Sequence, residues 1–547
     1  MAAILVALAL ILWLSPKDNP IIVHGLVIDD AGPVKGAVIR FNSGSYYTVA
    51  DSQGRFTIST KEELVEGDYL TGWAPGYLIG WTEVLIIEGG AVITLAAHTT
   101  SDDPNYEWFS FEGNDGSLSC SVCMHGYPEW TADAHSQSAI NPRFLSLYNG
   151  TTVSGESGME TIYNFDQELV VDVPVAPSLG LDGTGPGFRL DFPELGGNCA
   201  LCHAPEAATH PGNAYQIDMN NLSDIASEGV FCEFCHKIGE VYIRSETGLP
   251  DPSLPGVLSM RLFRPYPEEN TQIFFGNFDD VPLGRRVTYL PLVEESAFCA
   301  PCHVGDFWGV TMYNSFGEWL ESPYSDPESG QTCQDCHMPP VEYNYFVFSE
   351  KGGAYRESGR IFTHLMPGAM DEELLQNTAE VTIETSKQNN DLHVIVRVTN
   401  SEAGHHIPTD NPLRNMILLV SVTDANGQSL ELIEGSIIPE WGGIGDPESG
   451  HYAGMPGVLY AKVLADFYTG ETPTYAYWRQ TRIVSDNRIA AFETDVSEYL
   501  FALPQNDGEI TIDAQLLLRR AFIELMDSKE WDTPDILMEH ETITIDY

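Results

Sequence analysis

All ten cysteines of the chain fall in Cys-x-x-Cys pairs: Cys120/Cys123, Cys199/Cys202, Cys232/Cys235, Cys299/Cys302 and Cys333/Cys336. In four of the five pairs the next residue is a histidine: His203, His236, His303 and His337. On a helical turn, residues i, i+3 and i+4 share one face. Two thiols so spaced form thioethers to the two vinyl groups of one porphyrin while the imidazole reaches its iron. Cys-x-x-Cys-His is accordingly the attachment motif of c-type haem. Structural zinc combines two ligand pairs and needs no histidine after each. A thioredoxin-like redox pair occurs once, near a βαβ pattern. Local disulfides would leave the four histidines unexplained. Four covalently bound haems are therefore expected.

The first pair departs from the rule, reading Cys120-Ser-Val-Cys123-Met124-His125. At about 100° per residue, Met124 takes the usual ligand direction and His125 points away from it. Three readings stay open there. A fifth haem is held with Met124 or a distorted His125 as ligand, or with a ligand from elsewhere in the chain, or the pair is a disulfide or a relic.

An iron that does not bind substrate needs a second axial ligand, and ten further histidines are present. His135, His210, His364 and the His405/His406 pair are the candidates. His24, His98, His393, His451 and His540 lie in β-patterned or terminal segments and read as surface or core residues. Bis-histidine ligation closes an iron to substrate and favours outer-sphere electron transfer.

Two stretches carry a family resemblance. Glu228-Gly-Val-Phe-Cys-Glu-Phe-Cys-His236 resembles the second member of a closely spaced haem pair in multihaem c-type cytochromes. So does Gly317-Glu-Trp-Leu-Glu-Ser-Pro323 running into Thr332-Cys-Gln-Asp-Cys-His-Met-Pro339. Both are similar to the tetrahaem electron shuttle of nitrifying bacteria and to the haem core of hydroxylamine oxidoreductase. In such proteins segments like Thr363-His-Leu-Met-Pro-Gly368 and Gly404-His-His-Ile-Pro-Thr409 supply distal ligands, which ranks His364, His405 and His406 highly. Cys199 to Cys232 and Cys299 to Cys333 span 33 and 34 residues, an internal repeat of two-haem units. The resemblance covers about residues 115–370 and implies haems close enough for rapid electron hopping.

The elements around this region read differently. Residues 20–98 alternate apolar and polar side chains between turn signals and resemble the transthyretin-like sandwich called carboxypeptidase regulatory-like, a spacer or docking module. Residues 99–378 are rich in Gly, Pro and Asn and are expected to form an irregular, mainly helical multihaem core organised around porphyrin. From residue 379 to 547 strands return as a second β-sandwich, with Asn426-Gly427 as a hairpin signal. The expected fold class is thus a mainly helical haem core flanked by N-terminal and C-terminal β-sandwiches. If His405 or His406 ligates a haem, the second sandwich clamps the array.

Residues 2–14 are an unbroken apolar run of 13. That is shorter than the ~20 residues of a membrane-spanning helix and matches a signal-peptide core. Residues 1–16 are read as a cleaved export signal or a retained anchor, so the protein is expected at the periplasm or cell surface. Its 547 residues carry 26 Lys and Arg against 79 Asp and Glu, a net charge of −53 that repels nucleic acid.

Together these features describe an exported multihaem cytochrome that passes electrons to redox partner proteins. An enzyme with one open haem, most naturally at Cys120/Cys123, acting on a small nitrogen or sulfur compound is the first alternative. A subunit of a larger cytochrome assembly is the second.

Overall fold

The computed structural model describes residues 20–547 except 62–63, 85–89, 176–177, 181, 211, 213, 270–271, 282–286 and 506–507. The apolar run 2–14 lies outside the described residues. Within them, no helix is long and apolar enough to cross a membrane.

The N-terminal part is built from two four-stranded sheets. Ile21–Asp29 pairs antiparallel with Arg55–Thr60 and parallel with Ala91–Thr94. The other sheet runs Tyr47–Val49, Val38–Phe41, Tyr69–Trp73, Gly80–Glu83. Arg55–Thr60 alternates exposed and buried residues, so Phe56 and Ile58 turn inward to meet Val27, Ile39, Leu70 and Ile93. The turn before that strand needs Gly54, whose φ is 69° and where a Cβ would lie 2.4 Å from the Val27 carbonyl oxygen. This body is fastened to the middle of the chain by buried Arg356 on Asp280, by Arg40 on Asp279 and by the Thr288 hydroxyl donating to the Tyr77 carbonyl.

The middle region corrects the expectation of a mainly helical core. Strand accounts for 33% of the structure and helix for 18%. The longest helix between residues 99 and 378 is Pro142–Asn149, capped by the Asn141 side chain and ended by Gly150 at φ 71°. Among the described residues five two-stranded ribbons lie between the short helices, including Ile238–Val241 with Met260–Leu262 and Gly305–Phe307 with Val310–Tyr313. The physical reason is that Cys-x-x-Cys-His requires only one helical turn. Ala200–His203, Cys232–Cys235, Ala300–His303 and Cys333–His337 are such single turns. Cys333–His337 starts on a Thr332/Asp335 capping box, and Pro339 and Pro340 come soon after it, residues that do not continue a helix.

The C-terminal part stacks a four-stranded sheet on a five-stranded one. Ala379–Gln388, Asp391–Asn400, Thr494–Ala502 and Leu432–Gly435 form the first. The second runs Thr481–Asp486, Gly457–Asp466, Asn415–Asp424, Glu509–Arg519, Ile536–Asp546. Asp391–Asn400 alternates with period two because only one of its faces is covered. Gly457–Asp466 is buried almost throughout, since the five-stranded sheet also receives Leu147, Tyr148, Phe188 and Ala200 of the middle region on its outer face. At Asn426-Gly427 the chain does turn, with a bridge between Thr423 and Ser429, but the next strand crosses to the other sheet.

Candidate functional site

The loop between Asp391–Asn400 and Asn415–Asp424 carries His405, His406 and Asp410 out of the C-terminal sandwich and into the middle region. Buried Glu318 holds it there: one oxygen accepts from the Thr409 hydroxyl at 2.5 Å and from the His406 N–H at 3.2 Å, and the other pairs with Arg488 at 2.8 Å. The segment around His364 is held in the same manner by Glu129, which accepts from the His364 N–H at 2.7 Å and from the Tyr343 hydroxyl at 2.9 Å.

These supports bring six predicted histidines together as three couples. The ring centroids of His236 and His364 are 6.3 Å apart, those of His337 and His405 6.4 Å, and those of His135 and His303 6.4 Å. Two imidazoles bound through Nε2 on opposite sides of one metal ion, each at about 2 Å, hold their centroids about 6 Å apart. In every couple one member belongs to a Cys-x-x-Cys-His motif and the other is a candidate distal residue. The spacing fits an iron between each two rings.

One ring nitrogen of three motif histidines is taken up by a backbone carbonyl. Nδ1 of His203 meets the Ser138 carbonyl at 2.9 Å, Nδ1 of His337 meets the Pro367 carbonyl at 2.6 Å, and Nδ1 of His236 meets the Phe275 carbonyl. A carbonyl only accepts, so each Nδ1 carries the proton and each Nε2 keeps its lone pair for a metal. Burial pushes the pKa values of His203, His236 and His337 down. Burial, and then His236, bring His364 down to about 4. All four rings are therefore neutral at pH 7, as ligands must be.

The third couple differs. His303 gives its Nδ1–H to Asp410 at 3.1 Å, and His135 gives its own to buried Asp133 at 2.7 Å. Burial alone would depress His303, but the Asp410 carboxylate outweighs it and raises the pKa to about 9. The Asp410 carboxyl, which burial alone would raise, is held well below the usual range by His303.

The thiols of different motifs also meet. Cys120 shares a hydrogen bond with Cys232, Cys202 with Cys302, and Cys299 with Cys333. Cys299 and Cys302 further feel the charge of Cys235. The Cys299/Cys302 turn therefore touches two other motifs and lies close to a third, while Cys120/Cys123 adjoins Cys232/Cys235. No cysteine is in a disulfide. Among the described residues no three His, Cys, Asp or Glu side chains converge as a metal site.

Several predicted residues stand apart. The Nδ1 of His210 meets the Pro104 carbonyl at 3.0 Å and its Nε2 lies 3.4 Å from Glu206. His406 turns toward Glu318, with Nδ1 at 3.6 Å. His125 is held between Tyr343 and Phe348, with centroids at 4.7 and 4.6 Å, and Met124 bridges to Val347. Sequence reasoning missed Asp133 and Asp410. Asp133 stands two residues before a candidate histidine, a signal legible in the sequence. Asp410 reaches His303 only through the fold.

No family model matches the chain, and no curated protein does. Among solved structures, the penta-haem cytochrome c552 from Thermochromatium tepidum is similar at TM-score 0.51 and 19% identity, over 79% of this chain and 98% of that one. A putative ApaA protein from Bordetella pertussis matches 30% of this chain and 90% of its own at 11% identity and TM-score 0.13, too low for any argument to rest on it. The fold of this chain is thus like that of a multihaem cytochrome.

Proposed function

We propose that the protein is a multihaem c-type cytochrome that conducts electrons, with haem c at Cys199/Cys202, Cys232/Cys235, Cys299/Cys302 and Cys333/Cys336. The observation that carries this reading is the set of three histidine couples at 6.3–6.4 Å, each joining a motif histidine to a distal one. Haem supplies a one-electron iron couple at each site. The residues of this chain orient the imidazoles and fix their tautomers, and each of the three couples would hold one iron between two histidines, an arrangement that favours outer-sphere transfer. The thiol contacts support an order in which Cys120/Cys123 neighbours Cys232/Cys235, and Cys299/Cys302 is a junction joining Cys199/Cys202 and Cys333/Cys336. A haem at Cys120/Cys123 would complete the line.

The fold likeness to a penta-haem cytochrome supports this reading. Attachment of haem c in the cytochromes this chain resembles takes place outside the cytoplasmic membrane, and we assign this protein the same location. The N-terminal sheets then serve as a docking module for redox partners, and the strongly acidic surface suits a basic one.

The test is a pyridine haemochrome assay against protein mass. Four or five covalent haems per chain, with low-spin spectra for at least three, support the proposal. A colourless protein with free thiols sinks it.

A further inference from the structure

The buried arginines Arg356, Arg479, Arg488 and Arg519 each meet a carboxylate at 2.6–2.8 Å. Arg143, Arg414 and Arg520, all partly buried, do not. Among the described residues none of the three forms an ion pair, in a chain with 79 Asp and Glu. Arg414 gives an N–H to the Thr409 carbonyl at 3.2 Å. Arg143 gives one to the Thr533 hydroxyl at 2.6 Å and lays another 4.0 Å from the Met370 sulfur. The Nε and Nη2 atoms of Arg520 are buried with no hydrogen-bond partner. They are the same two nitrogens that Arg479 and Arg519 present to the two oxygens of Asp191 and Asp535. Arg520 thus keeps the paired-donor edge of its guanidinium free.

The backbone places these residues together. The ladder between Asn415–Asp424 and Glu509–Arg519 closes on the pair Asn415/Arg519, and Arg414 and Arg520 are the next residue of each strand. Burial, then the like charges of Arg143 and Arg414, push the Arg520 pKa down to about 10. Asp410 acts on Arg414, but its oxygens are engaged by His303 at 3.1 Å and by Ser315 at 2.7 Å. Each surrounding segment also supports a motif histidine. Phe144, next to Arg143, stacks on His203 at 4.0 Å. Pro367, three residues before Met370, accepts from His337, and Asp410, four before Arg414, accepts from His303. Three like charges gathered out of water destabilise a fold unless an anion lies among them.

We propose that Arg143, Arg414 and Arg520 form a cradle for haem propionate carboxylates at the place where the His203, His303 and His337 motifs approach one another. The proposal rests on the multihaem reading. A carboxylate is the partner that the free edge of Arg520 fits, because its two oxygens match two parallel N–H donors. Arg143 and Arg414 add charge from either side. No bond is made or broken. The cradle fixes the orientation of a porphyrin already tethered by its thioethers, and its positive charge favours the ferrous state of the nearest iron.

The test uses the haem-loaded full chain. Arg520→Met is expected to move the propionate bending band of the resonance Raman spectrum and to lower the unfolding midpoint. It should also lower the ferrous-to-ferric ratio of one haem about tenfold at fixed potential, a shift of about 59 mV. Arg520→Lys keeps the charge without the paired donors, so it should restore the potential and leave the band displaced. Arg482→Gln, at an exposed position, should change neither. A midpoint raised by Arg520→Met, as relief of an unanswered cation would give, overturns the inference, and so does an unmoved band. Inorganic phosphate added at constant ionic strength separates the two sources of anion. A potential that responds to phosphate in the parent chain and not in Arg520→Met means a free anion and also overturns it. Arg143→Gln reads the same band if Arg520→Met does not fold. A haemochrome count on the same sample separates the failures: no haem refutes the cytochrome reading, whereas haem with an unmoved band refutes only the cradle.

Discussion

Replacing Asp410 by Asn keeps the shape of the residue and removes one negative charge from beside His303. The carboxylate oxygen lies 3.1 Å from the His303 Nδ1. Across the imidazole, that charge is about 7 Å from an iron bound at Nε2, and at an effective dielectric of about 20 it is worth about 2 kcal/mol. For one electron this corresponds to about 100 mV. The negative charge favours ferric over ferrous iron, so Asp410→Asn should raise the potential of this haem by about 100 mV. Asp133 acts on the same couple from the other side, at 2.7 Å from His135, so the His135/His303 haem should have the lowest potential of the three couples. Potentiometric titration followed by electron paramagnetic resonance, which separates haems by their g-values, measures the effect. A change below about 20 mV, or one spread equally over all haems, would refute the reasoning, since a charge in direct contact must act most on its own site.

Three further outcomes are expected. His405→Ala should convert one low-spin haem to a high-spin, carbon monoxide-binding one, whereas His406→Ala and His210→Ala should convert none, as optical spectra of the reduced proteins will show. Glu318→Ala should release the loop that presents His405, since the Thr409 hydroxyl and the His406 N–H lose their acceptor while Arg488 keeps Asp486; the cost, about 1 kcal/mol per hydrogen bond, is read from denaturant unfolding together with partial loss of the same low-spin signal. Lys237, fully buried and 3.3 Å from Glu233, has its pKa lowered to about 8, chiefly by burial. The folded state thus binds fewer protons than the unfolded one from pH 8 up to about 10.4, and stability should rise with pH across that window. Lys237→Met should abolish this rise and lower stability at pH 7 by taking the ammonium from buried Glu233, which keeps the Tyr106 hydroxyl and the Phe109 N–H, while adding Glu233→Gln should restore much of the loss. A denaturation series against pH checks both statements.

The four Cys-x-x-Cys-His turns were legible without a structure because the chemistry is local. Two thiols and an imidazole serve one porphyrin only at i, i+3 and i+4, and one helical turn suffices to present them. The same locality misled the expectation of a helical core. A turn of four residues does not dictate the conformation of the next segment, and here ribbons and loops succeed it. The sandwiches were readable as strands from alternation in Arg55–Thr60 and Asp391–Asn400. The crossing of the chain from one sheet to the other after Asn426-Gly427 was not, because pairing partners are chosen by tertiary contacts and not by the turn.

Residue spacing by itself therefore determined the four single-turn motifs proposed to hold haem and the histidine that each presents. Only the tertiary structure decided which distant histidine stands opposite, and why His405 is placed and His406 is not. The reason is that these relations join residues up to 168 positions apart, as with His135 and His303. They are made by carboxylates such as Glu129, Glu318 and Asp410, whose partners no local pattern encodes.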